Sequence, residues 1–435
     1  MNSRADVLLD FGGTHTKAQL RSDSGVEREI VVPSVRIVEG PAGERTIDPA
    51  GFADHVRGIF KEISGNVKKV QRIAITGQMA SFLIVDAEGH PLSPIVSWQD
   101  ERSDQHFVGG ISWTDVVQDL VTSHGLHSWD GVRPGLPLVS LPLVLKSIEI
   151  CDGARYMSII QFAALCLGDE SNIAQLPMHS SDAAATGLYD PIGQRWDEEI
   201  ATTIGIPPSL FPPVVDKYVP TLSRTNGQTL IYVPIGDFQA AIHGSRLTPD
   251  ELFIHMATGG QVARLSSTLE LSENVSYRDM FQVRPSLMEG WVAVTKTHLP
   301  AGRLLNSVVQ LLDGAQPTSP WTELDLLVEH QTTLRAKFHG HTMTKFDVEG
   351  VPTGGFMVKD LVSAICIGVH DQYLAAAQLV KGNDKVKIVF SGGALAKLPC
   401  FRRRFIDLLH VTEHRTIASE DTSLLGLSLL LASIY

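Results

Sequence analysis

Apolar residues alternate with short polar turns in three places along the chain, and each turn contains paired glycines. The first is VLLDFGGTHTKAQL at 7–20, where an apolar strand meets Asp10 and a Gly-Gly-Thr turn before apolar alternation returns. This pattern predicts a hairpin, because two glycines permit a tight turn between antiparallel strands. A second hairpin is predicted from FIHMATGGQVARLS at 253–266. In KIVFSGGALAK at 387–397, the pattern predicts a strand that runs through glycines into a helix.

Between these turns, apolar spacing predicts strands alternating with helices. The predicted elements are a helix over 52–63, a buried strand over 70–78, a strand–turn–strand over 82–98, a mostly helical region over 113–167 and a strand-to-helix transition over 230–245. We expect the apolar helix of SLLGLSLLLASIY at 423–435 to pack into a second domain. Alternation of this kind favours the α/β class.

The length of 435 residues exceeds what one hydrophobic core normally serves, so two domains with a cleft between them are expected. The proline-rich segment at 206–215 marks a loop before the change of domain. We place the boundary near Gly244, with an N-terminal domain over 1–243 and a C-terminal domain over 244–435.

Composition and charge exclude several classes of function. The chain is 43% apolar and 19% charged, with no run approaching the roughly 18 apolar residues of a membrane span. A net charge of −12 without a basic stripe argues against nucleic acid as a partner. Because 1–6 is polar and four scattered cysteines lack CxxC spacing, we expect a cytoplasmic protein without a disulfide framework or zinc site.

The first glycine turn carries groups suited to phosphate. Gly12 and Gly13 allow an approach free of side chains, and Thr14 and Thr16 offer hydroxyls beside backbone N–H groups. Asp10 lies where a magnesium ion would bridge to the phosphates. The alternative is an ordinary hairpin whose glycines serve only the turn.

Asp237 is the candidate proton acceptor, since it stands between the strand and the helix of 230–245. A carboxylate at that junction is directed toward a domain cleft. The same position suits a helix N-cap, which is a common duty for aspartate.

Eight motifs, taken in their order along the chain, resemble those of the FGGY carbohydrate kinases, members of the sugar kinase, Hsp70 and actin superfamily. They are DFGGTHTK, ITGQM, SWQDER, SSDAAATGLYDPIGQRWDEEI, IGDFQAAIHG, MATGGQV, FSGGALAK and SEDTSLLGLSLLLAS. The resemblance implies an α/β fold with two actin-like (ribonuclease H-like) domains and an interdomain cleft. GVRPGLPLVSL, the TGGQ form of the second turn and the segment at 283–306 most resemble the sedoheptulokinase branch.

The resemblance also implies ATP and Mg²⁺ as cofactors and a role for each motif residue. Asp237 is the catalytic base, in contact with the sugar, and Asp10 holds the metal. The nucleotide-binding residues are Gly12, Gly13, Thr14, Thr16, Lys17, Thr258, Gly259, Gly260, Gly302, Gly392, Gly393 and Ala394. The sugar-binding residues are Gln78, Met79, Trp98, Asp100 and Arg102. A homodimer is compatible with the resemblance.

Several of these positions have a second interpretation. Lys17 either touches phosphate or points into solvent, and the 392–394 turn is also typical of a strand-to-helix connection without a ligand. Asp100 and Arg102 equally suit a structural ion pair. Two departures from the family pattern stand out: Ala80 replaces the usual histidine of TGQMAS, and THLPAG leaves Gly302 as the nearest counterpart of an asparagine–glycine pair.

The predicted function is an ATP-dependent kinase that phosphorylates a ketose or polyol, with a seven-carbon ketose favoured within the resemblance. One alternative is a kinase of the xylulose, ribulose or glycerol type. Another is a nucleotide-dependent binding or regulatory protein without transfer. A plain ATPase should lack the TGQM and WQDER elements.

Overall fold

The chain forms two compact units. The computed structural model describes residues 5–65, 70–169, 173, 176–224, 228–257, 259–273, 281–312, 320–339, 345–381, 385–417 and 421–434. The first unit comprises Met1–Gly244, Val283–Glu289 and Ser423–Tyr435, and the second comprises Ser245–Gln282 and Gly290–Thr422. The change of unit after Gly244 lies one residue from the predicted boundary, whereas two later segments return to the first unit.

A mixed sheet forms the centre of the first unit. Its strands, in spatial order, are Pro220–Arg224, Thr229–Tyr232, Val70–Gly77, Ala5–Phe11, His15–Ser22 and Gly25–Pro33, and Ile235–Gly236 also pairs with Val70–Gly77. Ala5–Phe11 pairs in antiparallel fashion with His15–Ser22 and in parallel with Val70–Gly77. The predicted first hairpin and the predicted strand after residue 70 are both confirmed.

A second, five-stranded sheet packs in the same unit. Its order is Arg155–Ser158, Phe82–Val85, Ile95–Val96, Arg45–Ile47 and Val38–Glu39. Three short pairs complete the strands: Phe107–Val108 with Ile111–Ser112, Met178–His179 with Val214–Val215, and Tyr189–Asp190 with Arg195–Trp196. The predicted strand–turn–strand over 82–98 is confirmed, since Phe82 pairs with Val96.

Helices cover this framework, and the first shows why they form. The α-helices are Pro49–Ser64, Arg102–Gln105, Trp113–Ser123, Pro137–Leu145, Ile159–Leu167, Ser180–Ala184, Glu198–Thr203 and Asp237–Gly244, with 3₁₀ turns at Pro41–Gly43 and Pro208–Leu210. In Pro49–Ser64, the Asp48 carboxylate caps the Gly51 N–H at 2.8 Å. Apolar side chains three or four residues apart, such as Phe52, Val56 and Ile59, form its buried face.

The closing helix, Thr422–Ala432, corrects one expectation. Its leucines are buried with Leu8 and Ala74 of the central sheet of the first unit, not in the second unit. A Cβ on Gly426 would lie 2.0 Å from the Ala240 carbonyl oxygen, so the glycine permits this close packing. The prediction was wrong because apolar composition indicates that a helix is buried, but not against which sheet.

The second unit has its own sheet with strands in the order Trp291–Leu299, Gly260–Ser267, Glu251–Met256, Lys387–Ser391 and His414–Thr416. Its helices are Thr268–Glu273, Gly302–Leu312, Pro320–Leu327, Val358–Lys381, Gly393–Ala396 and Pro399–Leu409; Arg335–His339 pairs with Lys345–Glu349, and Gln282–Pro285 is a further strand. The predicted second hairpin is confirmed by antiparallel pairing of Glu251–Met256 with Gly260–Ser267. Among the described residues, no helix is long and apolar enough to cross a membrane.

Candidate active site

The first glycine turn lies against two of the predicted sugar-binding residues. A Cβ on Gly13 would lie 3.3 Å from Trp98 Nε1 and 3.7 Å from Gln78 Oε1. The backbone N–H of Gln78 donates to the Phe11 carbonyl at 2.9 Å, which holds the residue beside the turn. The structure therefore brings Gly13 together with Gln78 and Trp98, both of which follow it by more than 60 residues in the sequence.

The two threonines of the turn have different surroundings. Thr16 is buried, and its hydroxyl forms a 2.9 Å hydrogen bond with His55 Nε2. Thr14 is exposed, and its carbonyl accepts the Ser34 N–H at 3.0 Å. The Ser34 hydroxyl in turn donates to the Gly12 carbonyl at 2.7 Å. Thr14 is thus better placed than Thr16 to meet a ligand, and Ser34 is a supporting residue that sequence reasoning missed.

Asp10 and Lys17 face one another across the hairpin register. Asp10 is 5% exposed at the end of its strand, and Lys17 is half-buried on the returning strand. The charge of Lys17 is one of those that lower the pKa of the Asp237 carboxyl group, so its ammonium group acts on that carboxyl group. This electrostatic coupling argues against the interpretation in which Lys17 points only into open solvent.

Asp237 begins the helix Asp237–Gly244, directly after a short strand that pairs with Val70–Gly77. Its Oδ1 accepts the Phe238 N–H at 2.8 Å. Burial raises the pKa of the Asp237 carboxyl group to about 6, while the Phe238 N–H and the charges of Arg284 and Lys17 act in the opposite direction. The group is ionised at neutral pH and accepts a proton more readily than an ordinary aspartate.

Met79 packs against the strand end that precedes Asp237. A Cβ on Gly236 would lie 2.2 Å from Met79 Sδ and 2.7 Å from Gln239 Oε1, so only glycine fits there. Both polar side-chain atoms of Gln239 and the Oε1 of Gln78 are buried without a hydrogen-bond partner among the described residues. Buried amides in this state are costly unless a ligand satisfies them. Gln239 is therefore a candidate sugar contact that sequence reasoning did not select.

Ala80, the residue that departs from the family pattern, adopts a left-handed backbone conformation with φ of 64°. It is buried and directly follows Gln78 and Met79. A residue with a Cβ is strained in this region, and such strain concentrates at binding and catalytic sites.

Asp100 and Arg102 form an ion pair. Arg102 Nε donates to Asp100 Oδ1 at 2.8 Å, and Arg102 Nη2 donates to Oδ2 at 3.0 Å. The backbone N–H groups of Arg45 and Arg102 also donate to this carboxylate, whose side chain is fully buried. This geometry supports the structural interpretation of the pair.

Asp182 is a second carboxyl group near Asp237. It is 2% exposed, and the neighbouring Ser181 Oγ accepts the Gly236 N–H at 3.0 Å. Burial raises the pKa of Asp182 to about 7, a Ser158 hydrogen bond lowers it, and the charge of Asp237 raises it further. The sequence signal was present, since Asp182 lies in the SSDAAATG stretch, but nothing local linked it to Asp237.

In the second unit, the second glycine turn combines a closed position with an open one. A Cβ on Gly260 would lie 1.8 Å from Tyr373 Oη, whereas a Cβ on Gly259 would meet nothing within 4 Å. Thr258 lies outside the described residues. The Gly302 N–H donates to the Ala257 carbonyl at 2.8 Å, so this predicted nucleotide-binding residue lies beside the second glycine turn.

The third glycine turn adjoins the second. Gly392 has a φ of +96°, and a Cβ there would lie 2.3 Å from the carbonyl oxygen of Met256, which ends the strand before the second turn. Gly393 has open space around its Cβ position, and Ala394 is buried. Gly392 is therefore required by packing, while Gly393 leaves room for a flat ligand.

Comparison with known proteins gives these residues a family. Residues 7–220 match the profile described as "FGGY family of carbohydrate kinases, N-terminal domain". Residues 7–220 belong to the FGGY family. The match includes the first glycine turn and the predicted sugar-binding residues Gln78, Met79, Trp98, Asp100 and Arg102, and it ends before Asp237.

Similar sequences include two kinases of bacterial origin. The chain is 25% identical over 264 residues to a glycerol kinase from Corynebacterium efficiens, covering 55% of this chain and 50% of that protein. It is 26% identical over 221 residues to a gluconokinase from Bacillus subtilis, covering 49% of this chain and 40% of that protein. The chain thus aligns with half or less of the length of these two relatives.

Solved structures extend the fold comparison to almost the whole chain. Gluconate kinase from Lactobacillus acidophilus superposes with a TM-score of 0.78 at 16% identity, covering 98% of this chain and 88% of that one. Plasmodium falciparum glycerol kinase with ADP gives 0.72 at 14% identity, covering 100% and 90%. The expected α/β fold with two actin-like domains is confirmed. The sedoheptulokinase branch of the FGGY family stays a prediction.

Proposed function

We propose that the protein is an ATP-dependent carbohydrate kinase that transfers the γ-phosphate of ATP to a hydroxyl group of a ketose or polyol. The observation that carries this proposal is Asp237, a carboxylate with a pKa raised to about 6 at a strand-to-helix junction. It lies in the same unit as a glycine turn that contacts Gln78 and Trp98.

The reaction needs little from the protein beyond positioning, charge and one proton acceptor. The acceptor hydroxyl forms a new oxygen–phosphorus bond as the bond from the γ-phosphorus to the leaving oxygen of ADP breaks. Asp237 takes the hydroxyl proton, and Lys17 supplies positive charge beside it. The buried amides of Gln78 and Gln239 are suited to hydroxyl groups of the acceptor.

The residues also fit the proposed cofactors. Asp10 offers the hard carboxylate oxygens that Mg²⁺ prefers, at a strand end beside the first glycine turn. A bound magnesium ion would neutralise phosphate charge. In the second unit, Gly259 and Gly393 have open Cβ positions that leave room for nucleotide, and Gly260, Gly302, Gly392 and Ala394 shape those turns.

Within this class, a seven-carbon ketose such as sedoheptulose is the favoured acceptor, on the resemblance of GVRPGLPLVSL and the 283–306 segment. A xylulose-, ribulose- or glycerol-type kinase is the nearest alternative. A nucleotide-dependent binding protein without transfer is the alternative from another class. A cytoplasmic location and a homodimer remain predictions.

The test is ADP formation by the purified protein against a panel of ketoses and polyols, followed by Asp237→Asn. We expect the variant to bind ATP and sugar but to lose between about 100-fold and 10,000-fold in turnover, the range that one positioned base supplies. Asp54→Asn, on an exposed face of the helix Pro49–Ser64, is the control and should behave as the parent protein. Normal turnover by Asp237→Asn would contradict the assignment. ADP formation independent of sugar would favour an ATPase.

A further inference from the structure

Two arginines share one buried carboxylate in the first unit. Asp130, whose side chain is fully buried, accepts from Arg284 Nε at 3.2 Å and from Arg284 Nη2 at 2.8 Å through Oδ1. Its Oδ2 accepts from Arg133 Nη2 at 3.0 Å. We call Asp130, Arg133 and Arg284 the arginine cluster.

The arginine cluster stands beside the proposed base. Arg284 belongs to Val283–Glu289, a segment of the first unit, where the Val283 N–H donates to the Trp129 carbonyl at 3.0 Å. The Arg284 guanidinium carbon lies 5.8 Å from the ring centroid of Phe238, the residue after Asp237. The positive charge of Arg284 acts on the Asp237 carboxyl group more strongly than that of Lys17.

Within the arginine cluster itself, two guanidinium groups face one carboxylate, and the further carboxyl group on which the charge of Arg284 acts is that of Asp237. The Nε of Arg133 is buried without a hydrogen-bond partner among the described residues. Burial lowers the pKa of Arg133 to about 10; Asp130 raises it and the charge of Arg284 lowers it. Elsewhere in the unit, Arg102 pairs with Asp100 and Arg72 pairs with Asp6. One arginine would neutralise Asp130, so the second guanidinium group extends the cluster toward Asp237 and the proposed acceptor site.

Arg284 also retains hydrogen-bonding capacity. Its side chain is 5% exposed, and its recorded hydrogen bonds use Nε and Nη2. The remaining Nη1 donates to no residue within the described part of the chain. A guanidinium group has donors only, so its best partner is an oxygen that only accepts hydrogen bonds. A carbonyl oxygen and a carboxylate oxygen meet that requirement, whereas a hydroxyl must also place its own proton.

We propose that Arg284 binds the phosphoryl acceptor and selects acceptors that carry a carbonyl or carboxylate oxygen over the corresponding alditols. Asp130 and Arg133 are positioning residues that hold the guanidinium group of Arg284. The proposal rests on the proposed kinase function and names the acceptor chemistry of the same site. Both a ketose and a sugar acid carry an oxygen that only accepts hydrogen bonds, so either class of acceptor fits Arg284.

The experiment compares acceptors of equal carbon number at saturating ATP: xylulose, xylitol and xylonate, and likewise fructose, glucitol and gluconate. For the parent protein, we expect kcat/KM for the ketose or the acid to exceed that for the alditol by at least about tenfold, since charge-assisted hydrogen bonds are the stronger ones. Arg284→Gln should reduce this ratio by about tenfold or more, chiefly through the KM of the acceptor. Arg284→Lys should restore part of the ratio, and the KM for ATP should stay constant.

Arg72→Gln is the matched control, because Arg72 pairs with Asp6 elsewhere in the same unit. It should lower the melting temperature and leave the acceptor ratio unchanged. If Arg284→Gln lowers only the ketose-to-alditol ratio of kcat/KM, Arg284 contacts a carbonyl oxygen. If it lowers only the acid-to-alditol ratio, Arg284 contacts a carboxylate oxygen. If Arg284→Gln behaves as Arg72→Gln does, the cluster is structural and the proposal fails.

Two further measurements keep the proposals separable. Calorimetric binding of the same acceptors to the parent protein needs no folded variant, and equal affinity for ketose, acid and alditol would overturn the role of Arg284. Sustained turnover by Asp237→Asn would instead overturn the assignment of Asp237 as the base. The order of acceptors measured with Arg284→Gln would still test the role of Arg284.

Discussion

Asp100 and Asp237 are two carboxylates of the first unit, and their surroundings differ. Asp100 is fully buried and accepts four hydrogen bonds, two from the Arg102 side chain and two from backbone N–H groups. Asp237 is partly exposed, and its Oδ1 accepts the N–H of the next residue, Phe238, with no arginine among the described residues bound to it in a bidentate pair. A carboxylate with all its acceptor positions in use holds a loop in place. A carboxylate with few partners remains available to a ligand.

This difference in hydrogen bonding distinguishes the SWQDER motif, which contains Asp100, from the IGDF motif, which contains Asp237. Both carry an aspartate that the resemblance placed at the sugar site, yet Asp100 accepts its hydrogen bonds from Arg102 of its own loop and from the Arg45 N–H. Trp98 of the same motif contacts the first glycine turn instead. One motif can therefore supply a ligand contact and the ion pair that orients it.

The largest expected effect on stability follows from Asp100→Asn. Removal of the charge leaves the Arg102 guanidinium group without its counter-ion, and breaking such a buried pair costs about 3 kcal/mol. Urea unfolding should show this loss. Asp237→Asn should not lower the free energy of unfolding above pH 6, because the raised pKa of Asp237 means that its charged form is unfavourable in the folded state. Equal destabilisation by the two variants would remove the distinction between them.

A second prediction concerns pH. The folded pKa of Asp237 is raised, so the folded state binds more protons than the unfolded one, and this carboxyl group's contribution to stability falls as pH rises from about 4 through about 6. For the proposed phosphoryl transfer, kcat/KM should rise over the same range and level off above about pH 6, because the proposed base must be ionised.

Asp182 provides the control for that profile, since its pKa is raised to about 7 and it senses the charge of Asp237. Asp182→Asn should keep a rise in kcat/KM that ends near pH 6. Loss of that rise in Asp182→Asn would assign the titration to Asp182 instead.

The smallest effect on stability is expected from Arg102→Lys. Lysine keeps the positive charge but not the two parallel hydrogen bonds to Asp100, so the loss should be about 1 to 2 kcal/mol. Thermal unfolding with and without acceptor would measure it. If acceptor affinity falls more than stability does, Arg102 contacts the sugar directly and the structural interpretation is wrong.

Local patterns in the sequence predicted the elements well. Alternation and glycine spacing predicted both hairpins, and the strand-to-helix junction at Asp237 is where the structure has it. The predicted helical region over 113–167 contains three helices, Trp113–Ser123, Pro137–Leu145 and Ile159–Leu167, with loops between them and one strand, Arg155–Ser158, that pairs with Phe82–Val85. A strand of four residues is too short for its two-residue alternation of apolar and polar positions to be recognised between predicted helices.

Contacts over long sequence distances could not be predicted. Arg284 joins Asp130 across 154 positions, and no periodicity links the two residues. Ala80 adopts a left-handed conformation that its residue type disfavours, so propensity argues against what the structure has. Resemblance supplied the site as a set of motifs, while the choice between Thr14 and Thr16 needed the position of His55.

The packing of the helix Thr422–Ala432 on Leu8 and Ala74 has a consequence for synthesis on the ribosome. The first strand leaves the exit tunnel some 400 residues before the helix that covers it. During translation, that face of the central sheet therefore stays uncovered by this helix until the second unit has been synthesised. A nascent chain stalled before residue 422 would expose this apolar face, which makes it a natural target for chaperones and proteases.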